Sequence, residues 1–246
     1  MSWKQKILCL VAILYFIAGF WVGPYEIICD SCYNVYKTYG YTDYEIVVAH
    51  YNENLKWLKP YKDKVYVYNK GGPKHEEYKY LFKKWENLPN VGREGHSYLT
   101  YIIDHYDELP NVIVFLQGKI DDHDVKQNIQ TYIAQTLKQD FYATIVRKFP
   151  SLEARLEVKR YKEGMKHGDI YPALTSYRDF WLDVFKTPPP EPVFLSSYGC
   201  FGVTRALIHK HTKAFYINLL KWVKHHANPE EGYFLEFSWK PIFSSP

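Results

Sequence analysis

The chain has 246 residues, 47% hydrophobic, 24% charged and 18% aromatic, values that fit one globular domain and exclude a disordered chain, a collagen-like repeat and a multi-span membrane protein. Lys and Arg number 31 against 27 Asp and Glu, for a formal charge of +4, and the basic residues are spread along the chain. Nucleic acid is therefore not an expected partner, because a phosphate footprint needs a concentrated basic face. Tyr is abundant at 24, beside 14 Phe and 7 Trp, which suits either a ring-rich core and surface or a sugar-stacking cleft.

Residues 7–22 carry no charge, with Lys4 and Lys6 before them and Glu26 and Asp30 after. Sixteen apolar residues fall just short of a usual span, which Gly23 and Pro24 can extend. A short buried helix and a cleaved signal peptide are the alternatives, but bulky Phe20 and Trp21 stand where a cleavage site wants small residues. The expectation is an uncleaved anchor of a single-pass type II membrane protein. Residues 1–24 are then a cytoplasmic tip and transmembrane segment, 25–44 a Tyr-rich stem, and 45–246 a domain placed by the positive-inside rule in the endoplasmic reticulum or Golgi lumen or outside the cell. Cys29 and Cys32 form a lone C-x-x-C with no second pair to complete a zinc site, open to pairing with each other, with another subunit, or to staying reduced. Cys200, in an apolar stretch, reads as core packing.

Residues 45–50 (EIVVAH) form a continuous β-branched run, the mark of a strand buried on both faces. A short helical pattern at 54–61 ends at Pro60. A second strand at 64–69 (KVYVYN) runs into the turn signal Lys70-Gly71-Gly72-Pro73. Residues 95–109 place Leu99, Ile102, Ile103 and Tyr106 at helical spacing before Pro110, and 112–116 (VIVFL) is a third buried strand. A helix is expected from 125 to about 139, then a poorly patterned stretch through Arg147, Lys159 and Arg160 to Gly168. Residues 177–186 read as helix, 188–192 as a stiff proline-rich connection, 193–203 as a strand or bent pair, and 212–227 as an amphipathic helix with Phe215, Leu219, Trp222 and Val223 on one face. Residues 229–243 mix acids and rings.

Strands separated by helical patterns imply right-handed crossovers and an α/β domain with a mainly parallel sheet, whose ligands gather beyond the carboxyl ends of the strands. Those ends carry residues 50–53 (HYNE), 69–72 (NKGG) and 117–124 (QGKIDDHD).

The segments VVAHYNE (47–53), VYNKG (67–71), LPNVGREGHSYLTYIIDHYDELPNVIVFLQG (88–118), SYGCFGV (197–203) and PEEGYFLEFSWKPIF (229–243) together resemble a domain-of-unknown-function family that looks glycosyltransferase-like. The resemblance spans roughly residues 46–243. It implies a GT-A, Rossmann-like three-layer domain holding a nucleotide over its first strands and an acceptor near the chain end. It implies a nucleotide-sugar donor and a glycan or glycoprotein acceptor.

Such an enzyme must neutralise a departing diphosphate and, in the inverting case, supply a carboxylate base. No Asp-x-Asp follows Gln117-Gly118 at once. Asp122 and Asp124, with Asp121 and His123, are candidates for Mn²⁺ or Mg²⁺, or equally a solvated loop or helix cap. Without a metal, Arg93 is the leading basic group, bracketed by Gly92 and Gly95 before a helix N-terminus whose free N–H groups favour anions; the alternative is a turn with Arg93 paired to Glu94. His96 stands near it as a phosphate neighbour or a cap. Asn52, Asn69, Lys70 and Gln117 complete the nucleotide candidates, with a surface β-turn the alternative for 69–72. By similarity to inverting families with a Pro-acid-Glu stretch near the chain end, Glu231 is the expected base and Glu236 the reserve, while Glu230-Glu231 also suits a purely structural helix start. Tyr198, Phe201, Trp239 and Phe243 line the acceptor side or pack the core, and His225-His226 complement a helix C-terminus. An inverting transferase is the expectation. Its rivals are a membrane-tethered glycan- or protein-binding module without chemistry, and a hydrolase with a metal-bound water on Asp122 and Asp124.

Overall fold

The two unbroken apolar runs lie side by side at the centre of the sheet because both their faces are covered. In the computed structural model, which describes residues 43–73, 76–120 and 128–244, β1 (Tyr44–His50) pairs in parallel with β2 (Val65–Asn69) on one side and with the strand Val112–Gln117 on the other. The outer neighbour of β2 is β3 (Lys84–Asn87), which makes Val112–Gln117 β4. Beyond β4 come β5 (Phe141–Phe149) and β6 (Val193–Thr204), in the order β3-β2-β1-β4-β6-β5. β6 runs antiparallel to both its neighbours, so the sheet is mixed and mostly parallel.

The side-chain period of two divides the core between two layers. Val112, Val114 and Leu116 pack with Ile46 and Val48 on one face, and Ile113 and Phe115 pack with Val47 on the other. The first face is covered by α2 (Ile129–Gln139) and by a 3-10 segment, Lys56–Lys64, that carries on through Pro60. The second is covered by α1 (Arg93–Asp104), α3 (Leu152–Leu156), α4 (Lys159–His167), α5 (Tyr177–Phe185), α7 (Lys213–Trp222) and α8 (Glu230–Ser244), with α6 (Arg205–Ile208) directly after β6.

Several expectations change. Residues 84–87 (KWEN) are polar and show no apolar run, yet they form an edge strand, where charge is tolerated because one side stays open. The poorly patterned stretch contains β5, α3 and α4. The helix expected to 109 ends at Asp104, and the one expected over 212–227 stops at Trp222, because carbonyls beyond it serve another element: His226 and Ala227 accept from the amides of Gly92 and Arg93 at 2.7 and 3.3 Å. His225 and His226 therefore lie past the helix rather than in its last turn, and His226 stacks on Tyr171 at 4.2 Å. Residues 230–244 form a helix buried on most of its surface, although Pro241 cannot donate to the carbonyl of Phe237. The Ser196 hydroxyl lies between the carbonyls of Glu236 and Phe237, at 2.9 and 3.3 Å, and accepts from the Lys240 amide at 3.2 Å, so β6 braces the helix where its own ladder is interrupted. Cys200 is buried in β6, as a packing residue should be.

No helix among the described residues is long and apolar enough to cross a membrane. The apolar run at 7–22, Cys29, Cys32, most of the stem and the acidic cluster at 121–124 lie outside the described residues.

At the carboxyl ends of β1 and β2 the chain passes itself closely. A Cβ on Gly71 would lie 1.4 Å from the carbonyl oxygen of Tyr51 and 3.0 Å from the side-chain oxygen of Asn52. The loop after β1 is already held by the Glu53 carboxylate, which accepts from the amides of Tyr51 and Asn52 at 2.7 and 3.1 Å. Neither backbone can retreat cheaply. Gly71→Ala is expected to lower stability by about 3 kcal/mol, the upper range for overpacking, readable as a reduced urea midpoint at unchanged slope, whereas Gly72→Ala, with open space around it, should leave the midpoint nearly unmoved.

Candidate functional site

Strand order reverses at β1: the chain leaves it to build β2 and β3 on one side and returns to build β4 on the other. Ligands of open α/β sheets bind beyond the strand ends at such a point. A cavity of about 350 Å³ lies there, walled by His50, Tyr51, Glu53, Lys70, Arg93 and Gln117 among others. A larger cavity of about 540 Å³ adjoins it toward β5 and β6, with Arg147, Arg155, Tyr198 and Glu236 in its wall. Arg93 and Gln117 line both.

Two departures from ordinary strand and helix geometry place the central groups. Gly92 and Arg93 both adopt left-handed φ, 63° and 51°, at the start of α1. A Cβ at position 92 would meet the Val223 carbonyl oxygen at 1.9 Å, so only glycine lets the turn nest against residues 223–227. The amides of Gly92 and Arg93 are spent on the carbonyls of His226 and Ala227, which corrects the expectation that they stand free for an anion; at Arg93 the side chain is what reaches the cavities. In β6, the register with β5 slips between Ala143 and Ile145, which pair with Phe201 and Ser197, so that three residues of β6 oppose one of β5. Tyr198 turns this bulge with a φ of 61°, a strained conformation for a side chain of its size. The bulge aims the Tyr198 amide at Oε1 of Glu236, 3.0 Å away, and brings Gly199 against Glu94.

Arg93 and Glu236 form the charged centre. Nη1 of Arg93 lies 3.0 Å from Oε2 of Glu236, its Nε 3.7 Å from Glu94, and its guanidinium 3.7 Å over the ring of Tyr233. Burial works against the arginine's charge, but Glu94, Glu236 and Tyr233 outweigh it and hold Arg93 protonated beyond the ordinary arginine range. Burial pushes the Glu236 carboxyl above its ordinary value, with Arg93 opposing and Glu94 adding to the rise. A buried carboxyl shifted upward beside a cavity is what a general base at neutral pH requires.

The other candidates divide into those at the cavities and those behind them. Lys70 reaches the smaller cavity, yet its ammonium donates to the carbonyls of Val91 and Arg93, pinning the turn that presents the arginine. Asn69 is buried and spent: its side chain meets His50 Nδ1 at 2.9 Å, Asn87 at 3.0 Å and the Gly71 amide at 3.1 Å. Asn52, Asn69 and His96 line neither of these two cavities. Glu230 accepts from the Tyr161 hydroxyl and from the Ala173 amide at 2.8 Å, and Glu231 from the Leu174 amide at 3.4 Å with His225 3.6 Å away. Both acids are thus tied to residues 161–174 and 225, while Glu236, one and a half turns on, opens to the larger cavity. Phe201, Trp239 and Phe243 are core residues; of the four rings expected on the acceptor side, Tyr198 alone lines the cavity. Arg147 and Arg155 were missed, since they fall in the stretch without a legible pattern; the density of basic residues from 147 to 160 was the available signal. Among the described residues no three His, Cys, Asp or Glu side chains converge on a point where a metal ion would fit, and Asp122 and Asp124 lie outside them.

Burial also sets the protonation of the supporting residues. It drives the Lys70 amine down to about 7, with Glu94 opposing, and drives His96 down to about 4, helped by the charge of Lys70. Unfolded Lys70 keeps its proton up to the ordinary value of 10.5, so between pH 7 and 10 the unfolded state holds more protons and stability rises with pH. Urea unfolding of the native protein is expected to show this rise between pH 7 and 9, about 1.4 kcal/mol per unit at most, and Lys70→Met to flatten the slope whatever its constant cost in lost hydrogen bonds.

The profile of a family described as Protein of unknown function (DUF3431) matches residues 46–246. The chain belongs to this family. No curated protein and no solved structure matches it. The family match begins inside β1 and takes in every element of the sheet, so both cavities are built from family sequence.

Proposed function

We propose that this domain is a glycosyltransferase that moves a sugar from a nucleotide-sugar donor to a hydroxyl of a glycan or glycoprotein, with inversion at the transferred carbon. The observation that carries the reading is that Arg93 and Gln117 line both cavities while Glu236 stands in the larger one, salt-bridged to Arg93. A cation suited to a departing diphosphate and a buried carboxylate suited to an acceptor hydroxyl thus stand side by side where the cavities meet. In this reading the nucleotide occupies the crevice beyond β1 and β4. The acceptor oxygen, losing its proton to Glu236, attacks the sugar carbon as the bond to the diphosphate breaks, and Arg93 offsets the charge that develops on the leaving oxygens. Glu231, tied to Leu174 and His225, takes a positioning role for the start of α8.

The same reading keeps residues 7–22 as a type II signal anchor and the domain in the endoplasmic reticulum or Golgi lumen or outside the cell. A Mn²⁺ or Mg²⁺ ion held by Asp122 and Asp124 would add positive charge for the departing diphosphate. Thermal unfolding of the full chain in detergent, with uridine and guanosine diphosphates and their sugars and with or without Mn²⁺, tests the reading. A ligand at 100 times its Kd stabilises by about 2.7 kcal/mol, a rise of roughly 5–10 °C for a domain of this size. One nucleotide class is expected to produce it and Arg93→Ala to remove it relative to that variant's own baseline. No shift with any nucleotide would sink the transferase and favour a binding module.

A further inference from the structure

Three arginines line the larger cavity, and of these Arg93 alone is ion-paired among the described residues. Arg147 of β5 and Arg155 at the end of α3 both line it, and among the described residues neither guanidinium has an ion pair or a hydrogen bond. The Arg155 plane lies 3.7 Å over the ring of Phe237, which fixes it in place, and its Nε is buried without an acceptor. Burial and, further down, the nearby charge of Arg147 disfavour the Arg155 cation, with Glu236 the main opposing group. Glu236 is already engaged by Arg93 and the Tyr198 amide. Of the other acids in the wall, Glu163 pairs with Lys159 at 3.7 Å and Asp169 is exposed. Both buried carboxylates near the three guanidinium groups, Glu94 and Glu236, thus lie against Arg93, and neither is within ion-pair distance of Arg147 or Arg155. Guanidinium forks match carboxylate and phosphate oxygens, and an oxyanion between Arg147 and Arg155 would supply the acceptor that the Arg155 Nε lacks and relieve the repulsion between them.

We propose that the larger cavity is a subsite for an acidic sugar, its carboxylate or phosphate held by Arg147 and Arg155. This rests on the transferase reading in placing that sugar on the acceptor side, and it narrows the acceptor to one bearing an oxyanion. The test is calorimetric titration of the full chain in detergent with glucuronate, glucose 6-phosphate and glucose, the first two separating carboxylate from phosphate. At least one acid is expected to bind about tenfold or more tighter than glucose. Arg155→Gln and Arg147→Gln should each remove that advantage while leaving uridine and guanosine diphosphate binding unchanged. Arg147 is exposed on the edge strand, so its variant keeps the test valid if loss of the Arg155–Phe237 stack unfolds the protein. Equal binding of acids and glucose overturns the proposal, and so does loss of diphosphate binding in the variants, which would assign the arginines to the donor. Acid binding that depends on these arginines in a protein that binds no nucleotide would sustain the subsite and defeat the transferase alone.

Discussion

Glu236→Gln is expected to lower turnover by about 10²–10⁴-fold, the usual contribution of a positioned general base, while nucleotide binding persists. The amide keeps the geometry: its oxygen still accepts from the Tyr198 amide, now made at 3.0 Å, and Arg93 still has Glu94 at 3.7 Å. What it cannot do is take a proton. The pH dependence gives a second readout. Burial raises the folded Glu236 carboxyl above its unfolded value, with Arg93 only partly offsetting the rise. Its contribution to stability is therefore full below the ordinary carboxyl range and is lost as pH rises through the folded value. The variant lacks that loss, so it should compare progressively better with the native protein as the pH rises, and the acid limb of its pH–rate profile should disappear. Glu231→Gln is the informative partner. It disturbs only the contacts to Leu174 and His225, so its turnover should stay within a few-fold of native; loss of turnover in Glu231→Gln with retention in Glu236→Gln would return the base to the start of α8.

Arg93→Met should be the most destabilising of these substitutions, by about 3–5 kcal/mol, as when one partner of a buried ion pair is removed. Methionine keeps much of the stem that packs beside Gly232 and Tyr233. It leaves Glu94 and Glu236, each under a tenth exposed, without the cation between them. Lys70 is close enough to Glu94 to feel its charge, but burial has already drawn its amine down to about 7. One of the two carboxyls must then take up a proton to fold. The deficit should shrink as the pH is lowered toward the ordinary carboxyl range and widen toward pH 8, which denaturant unfolding at several pH values will show. A deficit independent of pH would mean that the arginine acts through packing on Tyr233 and not through charge.

Much of the fold was legible in local pattern. The unbroken runs of β1 and β4 announce burial on both faces, the Pro and Gly signals mark where chains turn, and the helices after them follow from apolar spacing, because each of these depends on residues within a few positions of one another. The crevice end of the sheet was equally legible, since a parallel order places its ligand side by rule. The edge strands β3 and β5 were not: half-open strands need no apolar run, and what makes them strands is a neighbour distant in sequence. The reversed direction of β6 was hidden for the same reason.

The acid at the site shows the division most clearly. Sequence by itself supplied both Glu231 and Glu236, and the arginine in a glycine-bracketed turn. Five residues apart on one helix, the two acids point roughly 140° away from each other, so one must face the cavity if the other faces residues 171–174, and nothing local says which. Tertiary structure decides it through the pairing of Tyr171 with residues 228–230, the brace of Ser196 on α8, and the bulge at Tyr198 that carries a backbone amide to Glu236. The electrostatics of Arg147 and Arg155 belong to the same class, because charge becomes unpaired only when folding chooses its neighbours.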